Sequence, residues 1–280
     1  MSTSLRPRQF APARDTKPGA GFTLIELLVA VAIVAVLMAL ILSAVQRVRE
    51  AAKRTECLNK IRQQGLAVLN YESATGHLPP GTVQGPFPPL GVPGGAGHGM
   101  WVFLLAHLEQ VPLAAGYRLD LPFDHVLNQP AATTRLTVLV CPNADPNRVE
   151  EWEAGRYGGV ADYAPLEVNP FLADIAMIDP VANFESALPA NKLVKLSDIT
   201  DGTSNTLLLA EASGRPGVAW CSPLVPADLR RVFGGANGFH RNGASVCLAD
   251  GSARFVPDST DLRILGRLAT RAGGETIGDW

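Results

Sequence analysis

The stretch "GFTLIELLVAVAIVAVLMALILSAV", Gly21–Val45, decides the fold. From Leu27 to Leu42 it carries no charged or polar side chain, and the apolar run counted from Phe22 to Val45 is 24 residues long. Roughly 20 apolar residues cross a bilayer core, whereas a secretory signal peptide has an apolar region of only about 7–15. The segment therefore reads as a transmembrane helix. It contains one charge, Glu26. An acidic side chain at the bilayer centre costs about 2.5–3.5 kcal/mol on insertion scales, so such a group needs a partner, or a place at the helix start where the dipole favours it.

The flanks extend this reading without orienting it. Arg6, Arg8, Arg14 and Lys17 precede the segment, while Arg47, Arg49, Lys53, Arg54, Lys60 and Arg62 follow it and outnumber them. Counting basic residues on each side thus leans against an N-in topology, and charge alone does not settle it. Beyond the apolar run, Val45, Val48, Ala52, Leu58, Ile61, Gly65, Leu66 and Leu69 recur near a 3.6-residue period, so the helix is expected to continue as far as Gly76, Pro79 and Pro80. The expected organisation is a leader over 1–21, a transmembrane helix over 22–45, its amphipathic continuation over 46–75 and a head over 76–280.

Within the head, residues 76–99 hold 14 Gly or Pro in 24 positions and read as a loop; they lack the lysine and flanking elements of a phosphate-binding loop. Trp101, Leu104, Leu105, Leu108 and Val111 mark a short amphipathic helix, and "LTVLVCP" (Leu136–Pro142) a strand. The C-terminal third is β-like: "TLLLAEA" after "DGTSN", "GVAWCSP", and "ASVCLADGSARFV", in which Asp250-Gly251 signals a two-residue hairpin turn with positive φ at both positions. "DLRILGRLA" (Asp261–Ala269) fits a closing helix. The fold class is α+β: one long N-terminal helix packed on a small antiparallel sheet.

The basic leader followed by Gly21, Phe22, Thr23, Leu24, Ile25 and Glu26 closely resembles the prepilin signal of type IV pilins and type II secretion pseudopilins. That resemblance implies cleavage between Gly21 and Phe22 by a prepilin peptidase on the cytoplasmic side, N-methylation of Phe22, and an assembly role for Glu26, which would neutralise the Phe22 amine of a neighbouring subunit. It implies single-pass insertion in the inner membrane with an extracytoplasmic head, and as partners the peptidase, sister pseudopilins, the assembly platform and membrane lipid. A second resemblance rests on "LNYESATGHLPPG", "WVFLLAHLEQ", "DGTSNT", Trp220 with Pro223 and Asp228-Leu229, and His240 followed after nine residues by Asp250-Gly251. Together these are similar to a large bacterial family joining a prepilin N-terminus to a domain of unknown function. His77-Leu78 stands where many such sequences have an aromatic residue.

Composition narrows the function further. The formal charge is −2, and without the first 21 residues 20 basic face 25 acidic side chains, the wrong sign for nucleic-acid binding. Cys57, Cys141, Cys221 and Cys247 form no C-x-x-C pair; outside the cytoplasm they could make two disulfides in any of three connectivities, or remain reduced core residues. Among His77, His98, His107, His125 and His240 no catalytic motif is recognisable, and His240 is expected to orient a backbone carbonyl beside the Asp250-Gly251 hairpin. Asp198, Asp201, Asp250, Asp258 and Asp261 cluster in sequence and raise the question of calcium, but none lies in a recognised loop, and Asp in such contexts is a turn former. The sequence thus assigns no catalytic residue, metal ligand or cofactor. It gives a mechanical, non-enzymatic filament subunit as the leading reading and a tethered ligand-binding head, for instance for carbohydrate, as its rival.

Overall fold

The computed structural model describes residues 23–145, 148, 150–153, 156–168, 184–212, 219–223, 227–228, 240, 242–274 and 278. The leader, Gly21 and Phe22 lie outside them. The chain divides into two compact units, residues 1–49 and 50–280. Helix α1 (Leu24–Thr75) contributes to both.

In the first unit every described residue from Thr23 to Arg49 is exposed. An 18-residue window here has a mean hydropathy of 3.1, and none of it is buried within the protein. Such a surface is far more apolar than water tolerates on a soluble monomer, and its length suits a bilayer.

In the second unit the rest of α1 buries Cys57, Ile61, Gln64, Gly65, Ala67, Val68 and Tyr71, a stripe at helical spacing. This face is rotated from the one expected. Ala52 and Leu66 are exposed and Leu58 and Leu69 half-buried, because the helix docks through Cys57 and Gln64, residues that an apolar pattern passes over. Gln64 is tolerated in the core because its Nε2 donates to the Val138 carbonyl at 2.7 Å. The helix ends as expected: Gly76 takes φ 78° and its N–H closes onto the Glu72 carbonyl at 2.7 Å.

The Gly/Pro-rich stretch is not wholly a loop. It contains an antiparallel pair, β1 (Thr82–Gln84) with β2 (Gly97–Gly99), in register Thr82 with Gly99. Glycine makes the pair possible at Gly99, where a Cβ would stand 2.6 Å from the Ser222 carbonyl oxygen. The amphipathic helix of the sequence reading is broken into α2 (Trp101–Leu104), a 3-10 turn (Ala106–Leu108) and α3 (Val111–Gly116), divided where Glu109 adopts φ 63°. After α4 (Gln129–Ala132), "LTVLVCP" is not a strand but a 3-10 turn at Thr137–Leu139 leading to extended Val140. Of "GVAWCSP", Ala219 makes only an isolated bridge to Val160, Trp220 sits in a turn, and Gly217 and Val218 lie outside the described residues.

A small hairpin, β3 (Glu150–Glu153) with β4 (Arg156–Gly158), precedes the main sheet. Among the described residues that sheet has five strands in the order β7 (Ala227–Asp228), β5 (Tyr163–Glu167), β6 (Leu207–Glu211), β8 (Gly243–Leu248), β9 (Ala253–Pro257). All its pairings are antiparallel except β5 with β7. One face, through Leu208, Leu209 and Cys247, packs with Cys57, Ile61 and Val68 of α1. The other, through Ala210, Val246 and Leu248, packs with Leu265 and Leu268 of the closing helix α5 (Leu262–Ala269). Asp261 caps α5, accepting from the Arg263 N–H at 2.9 Å.

A bulge in β6 interrupts the alternation of its side chains. Leu207 pairs with Leu248 and Leu209 with Cys247, so Leu208 is an extra residue in the ladder. Leu209 therefore shares the α1 face with Leu208, and Glu211, two residues on, faces α1 as well.

Candidate functional site

At the start of α1, Thr23 and Glu26 satisfy each other. The Thr23 N–H and Oγ1–H donate to Glu26 Oε2 at 2.8 and 2.9 Å, and the Glu26 N–H donates to Thr23 Oγ1 at 3.2 Å. This is a capping box, in which a threonine and a glutamate three residues later each satisfy a backbone donor left free at the helix start. Within a single chain the carboxylate is thus compensated by the helix end itself. The T-x-x-E spacing that signals such a box is present in the sequence at Thr23 and Glu26.

The "DGTSNT" and Asp250-Gly251 motifs meet. The Asp250 N–H donates to the Thr203 carbonyl at 3.0 Å and the Ala249 N–H to the Thr206 carbonyl at 2.8 Å. The hairpin has a three-residue loop, Ala249 to Gly251, closed by Leu248 N–H to the Ser252 carbonyl at 2.9 Å; only Gly251 has positive φ, 80°. That geometry is a type I turn ending in a left-handed glycine rather than the expected turn with two such residues. Among the aspartates considered for calcium, Asp198 and Asp250 are turn formers and Asp201 ties down a distant segment. Asp198 accepts from the Lys195 N–H, Asp250 from that of Ser252, and Asp201 from those of Gly273 and Gly274.

The histidines separate into two groups. His98 is fully buried, its Nδ1 2.9 Å from the Tyr117 hydroxyl and its Nε2 3.0 Å from the Leu119 carbonyl, a structural pair of bonds in which Nε2–H donates and Nδ1 accepts. His77 and His107 pack on Tyr71, and His125 accepts from the Leu127 N–H. His240 does not orient a carbonyl at the hairpin. It joins the two sequence-distant cysteines Cys57 and Cys141.

All four cysteines are buried and free, and two of them touch: the Cys57 and Cys141 sulfurs lie 3.0 Å apart. His240 Nε2 is 3.0 Å from the Cys57 sulfur and 3.5 Å from that of Cys141. Glu211 Oε1 lies 3.7 Å from the same nitrogen. The four ligand atoms fall within 4.8 Å of one another. Each is delivered by a different segment: Cys57 by α1, Cys141 by the turn after Val140, Glu211 by the end of β6, and His240 from just before β8.

A shell of further bonds fixes these groups. The Cys141 N–H donates to Asp162 Oδ2 at 2.8 Å, and Asp162 is in turn paired with Arg148. Glu211 Oε2 accepts from the Ser245 N–H at 3.2 Å, but among the described residues its buried Oε1 has no hydrogen bond. His240 Nδ1 donates to Glu50 Oε1 at 3.2 Å, and Asn143 Nδ2 donates to both Glu50 oxygens at 3.1 and 3.2 Å. With Nδ1–H toward Glu50, Nε2 is the nitrogen that faces the cluster, a donor to the Cys57 sulfur while the ring is protonated and a lone pair once that proton is lost.

The electrostatics of the cluster follow from its burial. Burial above all, and then the neighbouring Cys57, pushes the Glu211 carboxyl up to about 7. The Cys141 thiol, donating toward Cys57, lowers the Cys57 pKa against the effect of burial, and Cys141 is raised by the same bond and by burial. At His240 burial opposes the charged form, but Cys57 and Glu211 outweigh it and raise the imidazole to about 9. Two sulfurs, a carboxylate and an imidazole thus converge in the interior, with the partly exposed Glu50 behind the imidazole. No sequence motif could have joined them, since the spacings between successive members are long and irregular; His240 alone belonged to a motif.

Two stretches of the chain match known families. Residues 17–42 match the prokaryotic N-terminal methylation motif, which makes the chain a type IV pilin-like substrate of prepilin peptidase with a single-pass membrane anchor. Residues 46–232 match the family described as proteins of unknown function, DUF1559, and the chain belongs to that family. No similarity was found to curated proteins or to solved structures. The family match includes Cys57, Cys141 and Glu211 and ends short of His240.

Proposed function

We propose that this chain is a non-catalytic pseudopilin-type subunit, cut between Gly21 and Phe22, N-methylated at Phe22, and drawn from the inner membrane into a short secretion or pilus filament. The observation that carries the reading is the fully exposed, charge-free run of α1 with a carboxylate held at its very start by Thr23. In lipid such a carboxylate favours a cationic partner, and the amine of a processed neighbour's Phe22 is the nearest chemical match. Sister pseudopilins and an inner-membrane assembly platform are the partners this requires, with the head on the extracytoplasmic side. The acidic ectodomain composition disfavours nucleic acid as cargo.

The mass and N-terminal sequence of the mature chain test the reading. A start at methylated Phe22 supports it, and an intact Met1 recovered from cells with an active prepilin peptidase overturns it. The tethered-receptor rival would place its ligand in the polar cleft lined by Gln63, Asn70, His107, Gln110 and Arg135. Retention of the detergent-solubilised full chain on an immobilised oligosaccharide, lost on changing Gln110 and Arg135 to Ala, would favour that rival.

A further inference from the structure

We propose that Cys57, Cys141, Glu211 and His240 form a closed binding site for one divalent transition-metal ion of zinc type. The donor set comes first in the argument. Thiolate sulfur and imidazole nitrogen with one carboxylate oxygen suit a borderline-soft ion such as Zn²⁺, and do not suit the hard calcium ion, which takes six to eight oxygens. The geometry is next. Zinc bonds of roughly 2.0–2.3 Å place tetrahedral ligand atoms about 3.3–3.8 Å apart. Here the separations run from 3.0 Å between the sulfurs, through 3.5 Å from Cys141 to His240, to 3.7 Å from His240 to Glu211, all four atoms lying within 4.8 Å. Parting the sulfurs and closing the widest pair would change separations by about 1 Å.

Two independent observations point the same way. Glu211 is 1% exposed, and its Oε1, aimed into the cluster, has no hydrogen bond from the described residues. His240 at 3.7 Å offsets only part of the desolvation of this oxygen, and a metal ion in contact with it would offset the rest. The second observation is the arrangement behind His240, where Glu50 accepts from Nδ1 and is itself held by Asn143. A carboxylate on the far nitrogen of a histidine is the usual outer support of a metal-binding imidazole. A disulfide between Cys57 and Cys141 would use the two sulfurs and leave both of these features unexplained.

All four donors are buried, so the site has no open position and is structural rather than catalytic. On binding, the proton on His240 Nε2 and any remaining on the two thiols and on Glu211 pass to water. The ion would tie α1, the Cys141 turn, β6 and the segment entering β8 into one cross-link. This inference does not depend on the filament reading, because it concerns how the head is held together.

The test uses the full chain purified in detergent without chelator under reducing conditions. Elemental mass spectrometry should find one zinc per chain that survives gel filtration. Replacement by Co²⁺ should give the intense visible bands of a tetrahedral ion together with thiolate-to-metal charge transfer in the near ultraviolet. Cys57→Ser with Cys141→Ser should abolish the charge-transfer band, and Glu50→Gln, behind His240, should weaken metal retention by about 10–100-fold. Because such variants can fail to fold, the wild-type cobalt spectrum stands as the deciding measurement. Folded, fully reduced wild type that takes up neither Zn²⁺ nor Co²⁺, or a cobalt spectrum without sulfur charge transfer, overturns the proposal. So does a chain isolated from its native membrane with Cys57 and Cys141 quantitatively joined as a disulfide.

Discussion

Gly65 of α1 faces Cys247 of β8 so closely that a Cβ on the glycine would stand 2.3 Å from the Cys247 sulfur. The helix can lie on the sheet here only because position 65 has no side chain. Gly65→Ala should destabilise the head by about 1–3 kcal/mol through overpacking, against a gain of about 1 kcal/mol in helix propensity. Urea unfolding of the full chain in detergent measures this. Adding Cys247→Ala should restore part of the loss, and strictly additive effects of the two substitutions would show that the contact is not the cause.

Thr23 and Glu26 form a reciprocal cap, so removing either weakens the helix start, but only one of them carries charge. Glu26→Ala should leave processing and membrane insertion intact while abolishing co-assembly with sister subunits. Thr23→Ala should lose the cap and retain co-assembly. Crosslinking in membranes distinguishes the two, and normal crosslinking of the Glu26 variant would rule out the pairing role.

Asp201 accepts from the backbone N–H groups of Gly273 and Gly274 at 2.7 and 2.9 Å, fastening the segment that follows α5. Hydrogen bonds to a charged acceptor are worth about 1.5–3 kcal/mol. Asp201→Ala is expected to lower stability by about that amount and to speed amide hydrogen exchange at Gly273 and Gly274. Exchange that stays slow there would mean that other contacts hold the segment.

Burial lowers the pKa of His98 below the ordinary imidazole value, with the Leu119 carbonyl acting in the opposite sense. The unfolded chain therefore binds its proton first as pH falls. Stability is intact above the unfolded value of about 6.5 and declines as pH drops through it toward the lower folded value. Unfolding midpoints measured at pH 7.5, 6.5 and 5.5 should fall in that order. His98→Gln should be less stable at neutral pH but should show a shallower decline, and an equal decline would assign the effect to other groups.

The long helix, its end at Gly76, the β-rich C-terminal third and the closing helix were legible because each rests on local chemistry: an apolar run, a left-handed glycine, β-branched and leucine-rich stretches, a capping aspartate. "LTVLVCP" misled because its β-branched residues pack in a 3-10 turn whose Val138 carbonyl is needed by Gln64, a tertiary bond invisible in the local pattern. The rotated face of α1 has the same origin, since Cys57 and Gln64 are buried by partners more than 70 residues away. The sulfur, imidazole and carboxylate cluster is wholly a product of folding. Only the histidine's place in a motif hinted that it mattered, and the carbonyl assigned to it was the wrong partner.

The extra residue in β6 makes the strand respond unequally to changes of length. Loss of Leu208 would convert the bulge into a regular ladder and keep Leu209 opposite Cys247, so Glu211 would still face α1. Loss of Ala210, two positions on, would turn Glu211 toward α5 and leave the two cysteines and the histidine without their acid. Relatives of this chain that differ in length along β6 should therefore keep the acid on the cysteine side only when the change falls before Leu209.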